Sequence, residues 1–407
     1  MAANNSAASR PTVQQLLQQM PCWKDITSPG SHAVLSRIER CRTADFGYHA
    51  YRCSDSDCGA MQYVYHSCRN RHCPGCGNNK REEWIEARMK ELLPVKYYHA
   101  VFTIPHQLNS LVMGNRKAMF TLLFNAASYT LLKFAKDEKY LAAQPGIIAV
   151  LHTWGQQLSF HPHVHCIVSG GGITSPPAPL QKERGVKPTL QWKEAVKAKH
   201  KFLFPTKAVQ PVYRAYFLKQ LQQHIDKGVV TMSEEQHKDW LELRTALYNM
   251  EWIVEFREPM GGPAQVLEYL GRYTHKVAIS NHRIKRIDVD NNVTFEYKDY
   301  ADEGKKKSMT LTGEEFLRRY EQHILPPRFC KIRHYGYLGN YKRKQRVNEM
   351  LQQMELPQHA QQLSISSTIR MIEKYGTDCL LCSRCKKAKL ELLYVVDIKG
   401  SKEVQRE

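Results

Sequence analysis

The chain has 407 residues, which is enough for two or three domains and a sizeable core. Its 59 Lys and Arg outnumber 39 Asp and Glu, and the net charge of +20 favours a polyanionic partner, either nucleic acid or an acidic membrane surface. No apolar run approaches roughly 18 residues and the N-terminus lacks a secretory signal, so we expect a cytoplasmic protein that does not span a membrane. The 12 cysteines of such a chain favour metal sites over disulfides.

Cysteines concentrate in residues 1–94, which we assign to a small zinc-ribbon-like domain. Cys53 and Cys58 form one knuckle and Cys73 and Cys76 a second, and such spacings are typical of Zn²⁺ sites. Four more residues could join this site or form another: Cys41, His49, Cys68 and His72. Arg69 and Arg71 flank the second knuckle and suit phosphate contacts, although a solvated basic face is the alternative.

The middle of the chain alternates strand-like and helical segments, which predicts an α+β fold. Predicted strands lie at 95–105, 146–154, 161–169, 250–256, 275–286 and 293–300. Predicted helices lie at 108–137, 209–227, 233–249 and, opened by a capping box at Thr312, 313–323. Residues 173–205 are rich in Pro and Lys and indicate an insertion, and the Gly170–Gly172 run is expected to end the strand before it.

The sequence His161-Pro-His163-Val-His165 is the most informative motif of the chain. Side chains on a strand alternate between faces, so all three imidazoles point to the same side, where two of them can bind one metal ion. By chance an H-x-H-x-H pattern is expected only about 0.04 times per chain of this composition. A structural or solvent-facing histidine strand is the alternative.

Two tyrosines, Tyr269 and Tyr273, lie at i and i+4 of a predicted helix that begins near Pro263. The spacing alone favours packing residues, because roughly one such pair is expected by chance.

A basic and aromatic segment follows at residues 328–346. It is suited to binding a single nucleic-acid strand, and a solvated basic face is the alternative. Its candidate contacts include Arg333, Lys342, Arg343 and Lys344. The remaining residues, 347–407, form a basic tail with a Cys379-x₂-Cys382-x₂-Cys385 knuckle that needs a fourth ligand from elsewhere.

Taken together, five separated motifs resemble those of rolling-circle insertion-sequence transposases, which are HUH endonucleases of the two-tyrosine type. The resemblance covers about residues 15–345. Its motifs are Cys68-Arg-Asn-Arg-His-Cys-Pro-Gly-Cys76, His152-Thr-Trp-Gly-Gln156, His161-Pro-His-Val-His165, Tyr269-Leu-Gly-Arg-Tyr273 and Arg333-His-Tyr-Gly-Tyr-Leu. The four residues between Cys53 and Cys58 depart from the tighter knuckle expected, which leaves open which cysteines are ligands.

The resemblance implies an HUH catalytic domain over residues 95–346, with a central antiparallel sheet flanked by helices. It implies that Tyr269 and Tyr273 are nucleophiles that cleave and rejoin single-stranded DNA through a 5′-phosphotyrosine. His163 and His165 would hold Mg²⁺ or Mn²⁺, with Gln156 as the favoured third ligand and His161 as the alternative. Arg272 would contact DNA, and Zn²⁺ would occupy the N-terminal domain.

The same resemblance implies a bacterial, nucleoid-associated enzyme that acts at element ends with help from host helicase and replication proteins. Three other functions remain open. One is a zinc-dependent nucleic-acid-binding protein without catalysis, and another is a replication initiator or relaxase of the same chemistry. The third is a hydrolytic nuclease, which would leave no covalent adduct.

Overall fold

A computed structural model describes residues 10–76, 91–174, 190–195, 203–260, 265–266, 277–356, 378, 380–398 and 400–403. The chain divides into two compact units. We call residues 81–275 and 325–359 the sheet unit, and residues 1–80, 276–324 and 360–407 the cysteine unit.

The described segments form a mixed α+β fold of antiparallel sheets flanked by helices, as predicted. The helices are α1 Val13–Gln19, α2 Trp23–Ile26, α3 Pro29–Glu39, α4 Asn109–Gly114, α5 Arg116–Lys136, α6 Thr206–Asp226, α7 Glu234–Asn249, α8 Gly313–Glu321 and α9 Arg343–Gln353. The strands are β1 Tyr48–Cys53, β2 Met61–Tyr65, β3 Tyr97–Thr103, β4 Gln144–Trp154, β5 Phe160–Thr174, β6 Gln191–Glu194, β7 Val254–Met260, β8 Ile284–Ile287, β9 Val293–Asp299, β10 Lys305–Leu311, β11 Ile332–Gly336, β12 Leu390–Asp397 and β13 Gly400–Glu403.

The sheet unit is built on strands in the order β11-β4-β5-β3-β7, all antiparallel to their neighbours, and β6 pairs with β5. The motif strand β5 is therefore central. Adjacent residues of these strands point to opposite faces, and both faces bury apolar side chains.

One face of this sheet packs on α5 and α6 through a large core that includes Phe102, Leu151, Val164 and Val168. The opposite face divides into two parts. Toward one end it carries Ile148, Val150 and Ile167, which belong to a second core with Val347 and Met350 of α9. Toward the other end it carries the histidines of β5. The packing thus holds the motif strand in place from both sides.

Strand β5 extends to Thr174, so the prediction that Gly170–Gly172 ends it is wrong. The glycines let neighbouring chain segments approach closely within the sheet. A Cβ at Gly171 would lie 2.4 Å from the Trp192 ring, and one at Gly172 would lie 2.7 Å from the Gln144 backbone. Strand β6, inside the predicted insertion, pairs with this end of β5.

Helix α5 is long and apolar enough to cross a membrane by length and composition alone, a test that buried core helices also pass. Of its most apolar window, 61% is buried inside the protein. Phe120, Leu123, Phe124 and Leu131 are fully covered within the larger core. This burial is what a core helix requires, and it assigns α5 to the interior of the sheet unit.

The cysteine unit contains two sheets, with strand orders β13-β12-β1-β2 and β10-β9-β8. Helix α8 opens as predicted, because the Thr312 side chain accepts a hydrogen bond of 3.3 Å from the Glu315 N–H. In the first sheet β1 lies between β2 and β12, so the chain's N-terminal hairpin and its C-terminal hairpin form one sheet.

This pairing differs from the predicted division into residues 1–94, 95–346 and 347–407. Residues 390–397 are hydrogen-bonded to residues 48–53, so the predicted tail completes the N-terminal sheet. Residues 347–353 instead belong to α9 and pack in the sheet unit. The reason is physical: β1 would otherwise leave one edge of backbone groups without strand partners.

Candidate active site and metal centres

Three histidines converge on one face of the central sheet. His152 of β4 pairs directly with His163 of β5, and His165 is the next residue of β5 on that face. One ring nitrogen of each histidine lies within 4.8 Å of the other two. His152 and His165 are only 3% and 8% exposed, so the cluster is a largely desolvated group of nitrogen donors. We call it the histidine centre.

Hydrogen bonds orient the two imidazoles of β5. His163 Nδ1 lies 2.7 Å from the His161 carbonyl oxygen, which can only accept, so Nδ1 carries the proton and Nε2 is left as a lone pair. His163 Nε2 is 3.1 Å from His165 Nε2. The two Nε2 atoms can share one proton in a hydrogen bond, and a cation bound by both would take the place of that proton.

A fourth histidine, His99, contacts His165 of the centre. His99 Nε2 of β3 lies 2.9 Å from His165 Nδ1, and the two rings are stacked with an interplanar angle of 9°. Burial, with the nearby Arg257 charge, lowers the pKa of His99 to about 3, and burial lowers the pKa of His163 to about 4. Both rings are therefore neutral near pH 7, the form in which imidazole binds metals.

Sequence reasoning missed His152 as a member of this group, although it lies in one of the motifs. Its position depends on the register of β4 against β5, which the spacing of the histidines along the chain does not give. Gln156, the favoured third ligand, lies in the turn between these strands, and His161 is exposed at the beginning of β5. His152, His163 and His165 form a group of three nitrogen donors without either of them.

Tyr269, Arg272 and Tyr273 lie outside the described residues. Of the predicted tyrosine helix, the structure describes Gln265 and Val266, which are helical. Val266 is fully buried in the same core that covers Val150 and Ile167, on the face of the sheet that carries the histidine centre.

Among its described residues, the cysteine unit holds two four-cysteine clusters. In the first, the Sγ atoms of Cys41, Cys68, Cys73 and Cys76 lie within 4.8 Å of one another. The Cys68 N–H donates to Cys41 Sγ over 3.4 Å, and Arg37 donates to the Cys68 carbonyl over 2.8 Å. This cluster suits one tetrahedral Zn²⁺.

The second cluster contains Cys53, Cys58, Cys382 and Cys385. The predicted ligands Cys53 and Cys58 are therefore separated from Cys73 and Cys76, and the single site inferred from spacing is corrected. The physical reason is the β1–β12 pairing, which brings Cys382 and Cys385 to the first knuckle. Cys379 lies outside the described residues.

The two histidines considered as zinc ligands lie in neither cluster. His49 Nδ1 is 2.9 Å from His66 Nε2, and His72 Nε2 accepts from Arg71 Nε over 3.3 Å.

The predicted DNA-contacting cations differ in accessibility. Arg69, Arg71, Lys342 and Lys344 are exposed. Arg333 instead lies over the rings of Phe124 and Phe329, 4.4 and 5.2 Å from their centroids.

Arg343 is mostly buried and forms a 2.9 Å ion pair with Glu91. The basic segment therefore combines exposed lysines with arginines that pack in the fold.

Comparison with known proteins agrees with these motifs. Residues 12–104 match a family described as "Transposase zinc-binding domain", and residues 146–346 match one described as "Putative transposase". The first match contains the first cysteine cluster together with Cys53 and Cys58, and the second contains the histidine centre and both motif tyrosines. No solved structure matches the chain.

Two curated relatives match most of the chain. A protein of Sinorhizobium fredii (strain NBRC 101917 / NGR234) named Putative transposase y4qJ is 39% identical over 325 residues, which is 79% of this chain and 77% of that protein. The Transposase for insertion sequence element IS801 of Pseudomonas savastanoi pv. phaseolicola is 28% identical over 334 residues, or 81% and 76% of the two chains. The chain therefore belongs to the family of rolling-circle insertion-sequence transposases of the two-tyrosine type, with an N-terminal transposase zinc-binding domain, and is a DNA transposase.

Proposed function

We propose that this transposase cleaves and rejoins single-stranded DNA at the ends of its element through a 5′-phosphotyrosine intermediate. The observation that carries the proposal is the convergence of His152, His163 and His165 in a desolvated cluster on the central sheet. A phosphodiester resists attack by an anion, so charge neutralisation at the phosphate is the main requirement of the reaction.

The donor set fits a divalent cation. Three neutral imidazoles suit a transition-metal ion such as Mn²⁺ better than Mg²⁺, which prefers oxygen ligands and would take more of them from water and the phosphate. When bound, such an ion supplies Lewis-acid polarisation of the scissile phosphate. Gln156 of the adjacent turn is our candidate for a further oxygen ligand.

The chain's own groups keep the histidine centre ready for this role. The His161 carbonyl and the His99 ring hold His163 and His165 with their Nε2 atoms turned toward each other. Trp154 stacks on His152 with ring centroids 4.6 Å apart, and the Lys331 ammonium lies 5.1 Å from the Trp154 ring centroid. A positive charge thus lies at the edge of the centre, where a DNA phosphate would approach.

We propose Tyr269 and Tyr273 as the nucleophiles. The helix predicted from the sequence would place them at i+3 and i+7 from Val266, so they would share its side, and Val266 packs on the histidine face of the sheet. In the reaction the tyrosine hydroxyl loses its proton and its oxygen bonds to phosphorus. The bond from phosphorus to the 3′ oxygen breaks, and that oxygen takes a proton to become a 3′ hydroxyl.

The exposed cations suit contacts with the DNA backbone. We propose this role for Arg69, Arg71, Lys342 and Lys344, and for Arg272 beside the tyrosines. Tyr341 is 77% exposed next to Lys342 and can stack on a base. Host helicase and replication proteins on the bacterial nucleoid are the partners that such strand exchange would need.

The test is a covalent adduct assay with the full-length protein. Labelled single-stranded oligonucleotides from the DNA flanking its gene are mixed with the protein and Mn²⁺ or Mg²⁺, and the products are separated on a denaturing gel. We expect a metal-dependent adduct that is lost in Tyr269→Phe/Tyr273→Phe and in His163→Ala. Tight binding with no adduct in any metal would overturn the proposal and favour a protein that binds DNA without cleaving it.

A further inference from the structure

The second cysteine cluster joins the two ends of the chain. Cys53 and Cys58 flank the turn after β1, whereas Cys382 and Cys385 lie just before β12. Cys53 Sγ is 3.7 Å from Cys385 Sγ, and Cys58 Sγ is 3.9 Å from Cys382 Sγ. These pairs are separated by 332 and 324 residues of sequence.

The distances match a tetrahedral metal site. With a zinc–sulfur bond of about 2.3 Å, the sulfur atoms of a tetrahedron are about 3.8 Å apart. All four Sγ atoms lie within 4.8 Å of one another, and each of the four cysteines is a free thiol. Cys53 and Cys382 are 3% and 2% exposed. Without a metal, this group of thiols would contribute little to the stability of the fold.

The backbone around the cluster has the form of two facing knuckles. In the first, the Gly59 N–H donates to the Asp55 carbonyl over 2.9 Å, and the Cys53 N–H donates to the Ala60 carbonyl over 3.0 Å. In the second, the Lys386 N–H donates to the Cys382 carbonyl over 2.9 Å.

The two knuckles are also joined through the backbone, because the Ser54 N–H donates to the Lys389 carbonyl over 2.9 Å. The N–H groups of Ala388 and Lys387 hydrogen-bond to the Cys385 sulfur.

We infer that Cys53, Cys58, Cys382 and Cys385 bind a second structural zinc ion, which fixes the C-terminal strand β12 to the N-terminal strand β1. The spacings of four and two residues within the pairs fall in the range of zinc knuckles. The apolar surroundings of the cluster are small, with Leu390 as the only other buried member among the described residues. The metal would therefore supply much of the energy that holds this end of the sheet together.

The inference can be tested by counting metal in the full-length protein, purified under reducing conditions and saturated with zinc. Every protein compared carries His163→Ala, because the three imidazoles of the histidine centre would also bind zinc, and wild type here refers to the cysteines. Elemental analysis should give two zinc ions per chain for the wild type and one for Cys382→Ser/Cys385→Ser. The pair Cys73→Ser/Cys76→Ser should also give one, through loss of the other site. Cys22→Ser/Cys330→Ser, which removes two exposed cysteines outside both clusters, should keep two.

A second readout separates metal loss from misfolding. In Cys382→Ser/Cys385→Ser, amide hydrogen exchange should accelerate in residues 390–397 while residues 144–154 and 160–174 keep their protection. Cys385→His should retain two metals, and in the cobalt-substituted protein its visible spectrum should change toward a three-sulfur, one-nitrogen site.

Three outcomes would overturn the inference. One is a single zinc per wild-type chain that Cys382→Ser/Cys385→Ser leaves unchanged. Another is stoichiometric iron with visible absorption in place of zinc. The third is two zinc ions retained in Cys382→Ser/Cys385→Ser, which would place the second ion elsewhere.

Discussion

The histidine centre and the two cysteine clusters gather metal-binding side chains in contrasting ways. His152, His163 and His165 are fixed by a sheet that is buried on both faces, and neighbouring groups hold two of their rings. The cysteines lie in short turns of a unit whose second cluster has few buried apolar neighbours. Packing can therefore hold the proposed catalytic centre in shape without a metal, whereas we expect the second cysteine cluster to depend on a metal for its shape.

Removing the metals should therefore give the largest difference in stability between the cysteine unit and the sheet unit. Binding of a structural zinc ion contributes about 10–16 kcal/mol of folding free energy, so a strong chelator should destabilise the cysteine unit. The sheet unit should keep its core, because both of the cysteine clusters described above lie in the cysteine unit. We expect hydrogen exchange after chelation to rise in β1 and β12 and to stay slow in β4 and β5. Equal loss of protection in all four strands would contradict the expectation that only the cysteine unit depends on metal.

A change in the histidine centre should have the opposite effect. His163→Ala should lower the rate of adduct formation about 10²–10³-fold, because it removes one ligand of the cation that would neutralise the phosphate. Its melting temperature should stay close to that of the wild type, since His163 is half-buried whereas His152 and His165 are buried. His161→Ala is the matched control on the same strand and should change the rate much less. A large loss of stability in His163→Ala with the rate preserved would reverse the roles assigned here.

Gly47 offers a test of the β1–β12 contact that leaves every cysteine in place. It has φ +80°, and a Cβ there would lie 2.0 Å from the Val396 carbonyl oxygen. Gly47→Ala should cost about 1–3 kcal/mol of stability by forcing β12 away from β1, measured by chemical denaturation.

Two other glycines serve as controls that separate the steric contact with β12 from the strain of a positive φ. Gly228 has φ +66° and no atom within 4 Å of a Cβ, so Gly228→Ala reports the backbone strain alone. Gly30, in helix α3 with open space around it, should tolerate alanine or gain stability. If Gly47→Ala behaves like Gly228→Ala, the close approach of β12 is not important for stability.

The smallest expected effect distinguishes two adjacent basic residues. Lys344→Ala should weaken single-stranded DNA binding and reduce the slope of log affinity against log salt by about 0.7, as expected for one phosphate contact. Arg343→Ala should leave this slope unchanged and instead lower stability, because it breaks the buried ion pair with Glu91. Binding measured at several salt concentrations gives both results. A reduced slope for Arg343→Ala would show that this side chain leaves Glu91 to contact DNA.

The parts of the fold that depend on local geometry are predictable from the sequence. Strand alternation alone places His163 and His165 on one face, and the capping box at Thr312 gives the beginning of α8. Whether His152 belongs to the histidine centre depends on the register of β4 against β5, which local sequence patterns do not specify. The division of Cys53 and Cys73 between two clusters depends on a partner strand more than 300 residues away in sequence. The Gly170–Gly172 run predicts the end of β5, and this is wrong because a sequence does not show which strand will pack against these glycines.

Locating the covalently bound DNA on the protein would show directly whether Tyr269 and Tyr273 are the nucleophiles. Arg272 lies between the two tyrosines, so trypsin separates Tyr269, in the peptide of residues 258–272, from Tyr273, in the peptide of residues 273–276. After reaction with an end-derived oligonucleotide in Mn²⁺ and digestion by nuclease and trypsin, mass spectrometry should find a nucleotide phosphate on one or both of these peptides. A covalent nucleotide found only on other peptides would contradict the assignment of Tyr269 and Tyr273 as the nucleophiles beside the histidine centre.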